Sequence, residues 1–137
     1  MTTWRWPIST KTYDDYMAAA YEAVSNGDSI KALAMYRKAV ETAQSEYGPK
    51  DLRIATSASY LASYCASLGL LGEAEVNYKK ALKLDEMNLS PNDPETIRVR
   101  NALADVLIKV FKSDEAKALL KTANSSTQNI DTIKGSQ

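Results

Sequence analysis

Histidine is missing altogether from the 137-residue sequence. Its absence removes the side chain that titrates near neutral pH and the commonest nitrogen ligand for a metal. A single cysteine, Cys65, excludes an internal disulfide and makes a reducing cytosol the default setting. The five glycines, at 27, 48, 69, 72 and 135, form neither a Gly-x-Gly-x-x-Gly fingerprint nor a phosphate loop. No serine, threonine or cysteine stands beside a recognisable activating base. Adjacent acids such as Asp85-Glu86 and Asp114-Glu115 point about 100° apart around a helix and do not converge as an acid–base pair. No catalytic residue, cofactor or metal is therefore expected.

Charge of one sign is lacking too. Lys+Arg and Asp+Glu both number 17, spread evenly over the two halves, so there is no basic surplus to bind nucleic acid. No apolar run approaches the length of a membrane span, and the first 25 residues have no apolar core of the signal-peptide kind. The expectation is a single cytoplasmic domain, ordinary in its 45% hydrophobic and 25% charged content and long enough to bury a core.

What the sequence does have is repetition. The stretch GLLGEAEVNYKKAL, 69–82, returns 42 residues upstream as GDSIKALAMYRKAV and 42 downstream as FKSDEAKALLKTAN. Three positions carry the echo: Ala32/Ala74/Ala116, Tyr36/Tyr78/Leu120 and Ala39/Ala81/Ala123. Their i, i+4, i+7 spacing places them on one face of a helix. Pro7, Pro49 and Pro91 keep the same period, each followed two residues later by an N-cap candidate, Ser9, Asp51 or Asp93. A fixed period of this size is the signature of stacked helix pairs.

The periodicity predicts six helices and no strands. They run over about 9–25, 29–46, 51–68, 72–87, 93–110 and 113–123, with turns at Gly27, around Gly48-Pro49, at Gly69 and at 88–92. Inward stripes include Tyr13, Tyr16, Ala19, Ala20 and Ala23 in the first helix and Ile54, Ala55, Ala58, Leu61, Ala62 and Cys65 in the third. Ile97, Leu103, Ala104 and Leu107 form the stripe of the fifth. Cys65 falls on such a stripe and reads as an unreactive core thiol. Domain boundaries follow: an aromatic segment over 1–8, three repeats over about 9–48, 49–90 and 91–123, and a polar tail over 124–137 expected to be disordered. In that tail Ile130 and Ile133 offer a short end cap as the alternative.

These residues resemble the tetratricopeptide repeat family. The small residues Ala20, Ala62 and Ala104, the turn glycines Gly27 and Gly69, and the Ala-x-x-x-Tyr-x-x-Ala second helices match its pattern. The 42-residue period, with Glu73-Ala74-Glu75, Tyr78, Ala81-Leu82, Asn92-Asp93-Pro94 and Asn101-Ala102-Leu103-Ala104, resembles the kinesin-light-chain type of repeat. The third copy departs from it, with Phe111 in place of the turn glycine and Leu120 in place of the aromatic. The resemblance implies an all-α superhelical solenoid of three helix-turn-helix repeats whose first helices line a concave groove. Carried over by position, the groove residues are Asp14/Thr56/Arg98, Met17/Ser59/Asn101 and Tyr21/Ser63/Asp105, with Tyr60 beside them.

The implied role is a non-catalytic adaptor or scaffold that binds a protein or peptide partner in that groove, with no nucleic acid and no membrane insertion. The lysine-rich clamp with which some members hold acidic chaperone tails is not matched. Its positions carry Met17, Tyr21, Tyr60, Arg98 and Ala102, of which Arg98 alone fits. The alternative role is a structural subunit that self-associates through its exposed end repeats as a homo-oligomer. Trp4 and Trp6 either cover the open edge of the first helix pair or form an aromatic anchor for a partner.

Overall fold

The computed structural model describes residues 11–122. They form six α-helices and, among the described residues, no strand. These are α1 Tyr13–Ser25, α2 Ser29–Tyr47, α3 Leu52–Ser67, α4 Leu71–Asn88 and α5 Pro94–Lys109, followed by α6 from residue 113 to the end of the described chain at 122. Each helix from α1 to α5 packs on its neighbours in sequence, and α3 also touches α5. The segment 1–8 with Trp4 and Trp6, and the tail 124–137, lie outside the described residues.

The helices begin where side chains accept the orphan backbone N–H groups of a first turn. Asp51 Oδ1 accepts from Arg53 N at 2.9 Å, and Asp93 Oδ1 accepts from Glu95 N at 2.9 Å with Pro94 in the first turn. The first helix starts later than the 42-residue phase predicts. Its N-cap is Thr12, not Ser9, because Thr12 and Asp15 make a reciprocal capping box: Thr12 Oγ1 accepts from Asp15 N, and Asp15 Oδ2 accepts from Thr12 N.

The echoed residues are the most deeply buried ones. Ala20, Ala62, Ala32, Ala74, Ala39 and Ala81 expose nothing, and Ala104 and Ala116 almost nothing. Tyr36 and Tyr78 fill the core between them, and Leu120 packs partly buried against it. Cys65 lies on the same stripe, wholly buried, and desolvation pushes its thiol up to about 11. Ile97, expected inward, is exposed. The buried stripe of α5 runs one position to the side, through Thr96, Val99, Arg100, Leu103 and Leu107. Arg100 is tolerated there because its Nη2 donates to Pro91 O at 3.2 Å and lies 3.7 Å from Glu86.

Ion pairs link successive second helices on the outside. Arg37 of α2 grips Glu73 of α4 through Nε and Nη2, Lys112 just before α6 reaches Glu75 at 2.9 Å, and Lys79 of α4 reaches Glu115 of α6 at 2.9 Å. They are exposed pairs of modest worth, so the alanine-lined contacts carry the stack.

The three intra-repeat turns are built alike. The second residue past the cap donates to the carbonyl five back: Asp28 to Ala23 at 2.9 Å, Leu70 to Cys65 at 2.8 Å, Lys112 to Leu107 at 2.8 Å. This Schellman closure needs a left-handed residue just before it. Gly27 (φ 73°) and Gly69 (φ 80°) supply it in the first two turns, whereas Phe111 is forced to φ 64° in the third. Its ring is almost wholly exposed and recovers nothing by packing. Phe111→Gly is therefore expected to stabilise the fold by about 0.5–1 kcal/mol in urea titrations, from relief of left-handed strain less the added freedom of the unfolded chain. Unchanged or lowered stability would contradict this account of the turn.

Candidate functional site

First helices expose small and hydroxyl residues on the side away from the stripe, and there a cleft of about 460 Å³ opens. Leu52, Thr56, Ser59, Tyr60 and Ser63 of α3 form one wall, Glu95 and Arg98 of α5 the other. Asp85, in the last turn of α4, and Leu89 just beyond it complete the lining.

The polar groups of the α5 wall are already engaged. Arg98 donates to Glu95 through Nε at 2.9 Å and Nη2 at 2.6 Å, and to Ser59 Oγ at 2.7 Å. Glu95 holds the guanidinium pKa above its ordinary value, against the opposing effect of desolvation. Asp85 is different. It is 2% exposed, and its Oδ2 is sealed from solvent with no hydrogen-bond partner. Desolvation, reinforced by the negative charge of Glu95, pushes its carboxyl up to about 6, with Arg98 opposing, while Asp93 and Glu86 add to the rise.

Next to the cleft lies a cluster of tyrosines from three helices. Tyr21 of α1 meets Tyr60 edge-on at 5.5 Å between ring centroids, and Tyr36 of α2 stacks parallel to Tyr60 at 6.2 Å. Tyr36 is buried, while Tyr21 and Tyr60 present nearly half their surface to solvent. Tyr64 leans on Tyr36 at 6.3 Å and donates its hydroxyl to Ser29 Oγ at 3.0 Å. A continuous aromatic shelf thus runs from α1 to the rim of the cleft, through Tyr60.

The sequence model of the tetratricopeptide repeat matches residues 12–87 and 53–123, so it spans most of the chain twice over its middle. The chain belongs to the tetratricopeptide repeat family. Its repeats keep the 42-residue period read from the sequence. Among solved structures it is similar to BtubC (BKLC) from P. vanneervenii, with a TM-score of 0.75 and 21% identity over 90% of this chain. This chain spans about half of BtubC, 49%. It is also similar to the TPR domain of Arabidopsis FLU, with a TM-score of 0.66 and 18% identity, covering 85% of this chain and 95% of that one. At these identities the likeness establishes the shared superhelical fold. A search of curated protein sequences gave no match. Tetratricopeptide repeats generally mediate interactions between proteins.

Of the residues assigned to the tetratricopeptide groove by position, Thr56, Ser59, Tyr60, Ser63 and Arg98 come together at the cleft, and Tyr21 joins through Tyr60. Asp14, Asn101 and Asp105 are exposed and do not line it. Met17 does not line an open groove: it is buried in the core with Tyr13 and Ala20, because its turn of α1 faces the stack. Ser59 is also buried, reached by Arg98 alone of the charged residues.

Positional transfer does not include Asp85, which lines the cleft and which the sequence presents only as half of an acidic doublet. Its phase held the signal. It follows Tyr78, Ala81 and Leu82 on the buried stripe of α4, at the position where the preceding repeat has Ala43, fully buried.

An ionised Asp85 is a liability to the fold, and the sign is definite. Its proton is held more tightly in the folded chain, at about 6, than at the ordinary value of 3.8. The penalty is absent below about pH 4, enters as pH rises to about 6, and is full above that. Asp85→Asn should raise stability by roughly 1–3 kcal/mol near neutral pH and by almost nothing near pH 4. Urea titrations at the two pH values check this. Equal effects at both, or a loss near neutrality, would contradict it.

Proposed function

We propose that this chain is a non-catalytic interaction module that seats an extended peptide segment of a partner protein along the face formed by α1, α3 and α5. The module comprises the three repeats over about 9–48, 49–90 and 91–123. The observation that carries the reading is the pair of half-exposed tyrosines, Tyr21 and Tyr60, set edge to face and opening into a cleft of hydroxyl and charged side chains. Aromatic groups held in place by neighbouring rings bury much area on binding at little entropic penalty, and so make good anchors. Thr56 and Ser63 offer hydroxyls to the peptide backbone and its polar flanks.

A second reading, self-association through the end repeats, has one observation in its favour. Phe111 and Ile108 stand exposed at the α5–α6 end of the molecule. They lie at a turn and on the outer side of α5, whereas the tyrosine shelf adjoins a concavity, so the peptide reading is the stronger.

Dodecapeptides selected on the immobilised chain from a random display library should lose at least about tenfold in affinity for a Tyr21→Ala/Tyr60→Ala double variant, as expected for two interface anchors. Helicity by circular dichroism should be unchanged. Selected peptides that bind wild type and double variant alike would place the binding surface elsewhere on the molecule.

A further inference from the structure

We propose that the floor of the cleft between α3 and α5 is a socket for one basic side chain, lysine or arginine, of the bound peptide, with Asp85 as its counter-ion. The proposal rests on the peptide-binding reading above and names what that peptide must carry. Asp85 is a carboxylate taken out of water and left without a partner for Oδ2. Such a group is costly to bury, and a cation seated in the cleft that Asp85 lines offsets its charge.

The charges facing Asp85 favour the same ligand. Glu95 and Asp93 approach from the start of α5, and Glu86 from its own helix. Arg98 is the positive group among them, and its guanidinium is already held by Glu95 and Ser59. The α3 wall adds the neutral Thr56, Ser59, Tyr60 and Ser63, leaving a surplus of negative charge. Leu52 and Leu89 supply apolar surface for the aliphatic stem of a long side chain, and Tyr60 at the rim offers a ring face to a cation. About 460 Å³ is ample for one such side chain.

The preceding interval of the superhelix shows the contrast. At the position of Asp85 it has Ala43, and at the position of Glu95 it has Arg53, whose guanidinium sits 3.9 Å over the Tyr47 ring. Where the first interval has Ala43 and Arg53, the second has Asp85 and Glu95 at the same two positions, with Arg98 beside them. The acidic socket is therefore specific to the second interval.

The test uses the full chain and the selected dodecapeptides. A lysine or arginine should recur at one position in peptides bound by the wild type. Replacing it with norleucine should weaken binding about ten- to hundredfold, as expected for a charge-assisted hydrogen bond, and should scarcely matter for Asp85→Asn. Wild-type affinity should also fall between about pH 7.5 and about pH 5.5, as Asp85 gains its proton, while that of Asp85→Asn stays flat. The variant is near-isosteric, and its folding is checked by circular dichroism. Peptides that depend on Tyr21 and Tyr60 but share no basic residue, or a basic peptide held equally by Asp85→Asn, would overturn the socket and leave the groove reading standing. Failure of any peptide to enrich would remove both.

Discussion

Ala20, Ala32, Ala39, Ala62, Ala74 and Ala81 have no surface left to water, and all but Ala32 belong to the core cluster that joins the helices. A methyl group at these points lets two backbones approach closely, and Tyr36, Tyr78 and Leu61 then fill the spaces between turns. No single helix pair buries enough apolar area to hold itself together. Stability must therefore come from repeating the same close contact in register, which is why the phase of 42 residues runs through Pro49 and Pro91, the caps Asp51 and Asp93, and the turns at Gly27 and Gly69.

That packing has a consequence for function. The stripe that seals the stack uses one face of each first helix, and the opposite face is released from any duty to the core. On α3 it carries Thr56, Tyr60 and Ser63, and on α1 it carries Tyr21. The tyrosines bridge the two roles, since buried Tyr36 supports the exposed rings of Tyr21 and Tyr60. At Asp85 the sealing stripe itself is interrupted by a charge, and the structure offers no compensating bond to its Oδ2. Local destabilisation of this sort clusters at functional sites.

Much of this was legible beforehand because periodicity reports burial directly. The helix limits fell within a residue or two from α2 to α5, and the alanine echoes marked the deepest contacts. The start of α1 was misplaced because a local capping box, Thr12 with Asp15, overrode the long-range phase. Ile97 is apolar but stands one position off the stripe, and it stays outside because Thr96 and Val99 hold the inward phase. Transfer by position brought Thr56, Ser63 and Arg98 to the cleft but also put Met17 there, where the rotation of α1 turns that side chain into the core. Asp85 escaped notice because carboxylates are expected at the surface. Its place in the stripe, equivalent to Ala43 in the preceding copy, is the one signal the sequence holds.

The central claim is that small side chains in register let these helix pairs nest. Urea denaturation of Ala62→Leu and Ala74→Leu, beside the exposed control Ala18→Leu, tests it most directly. The account predicts that each buried replacement lowers stability by roughly 1–3 kcal/mol through overpacking while the control stays near the wild type. Buried replacements as stable as the control would contradict it.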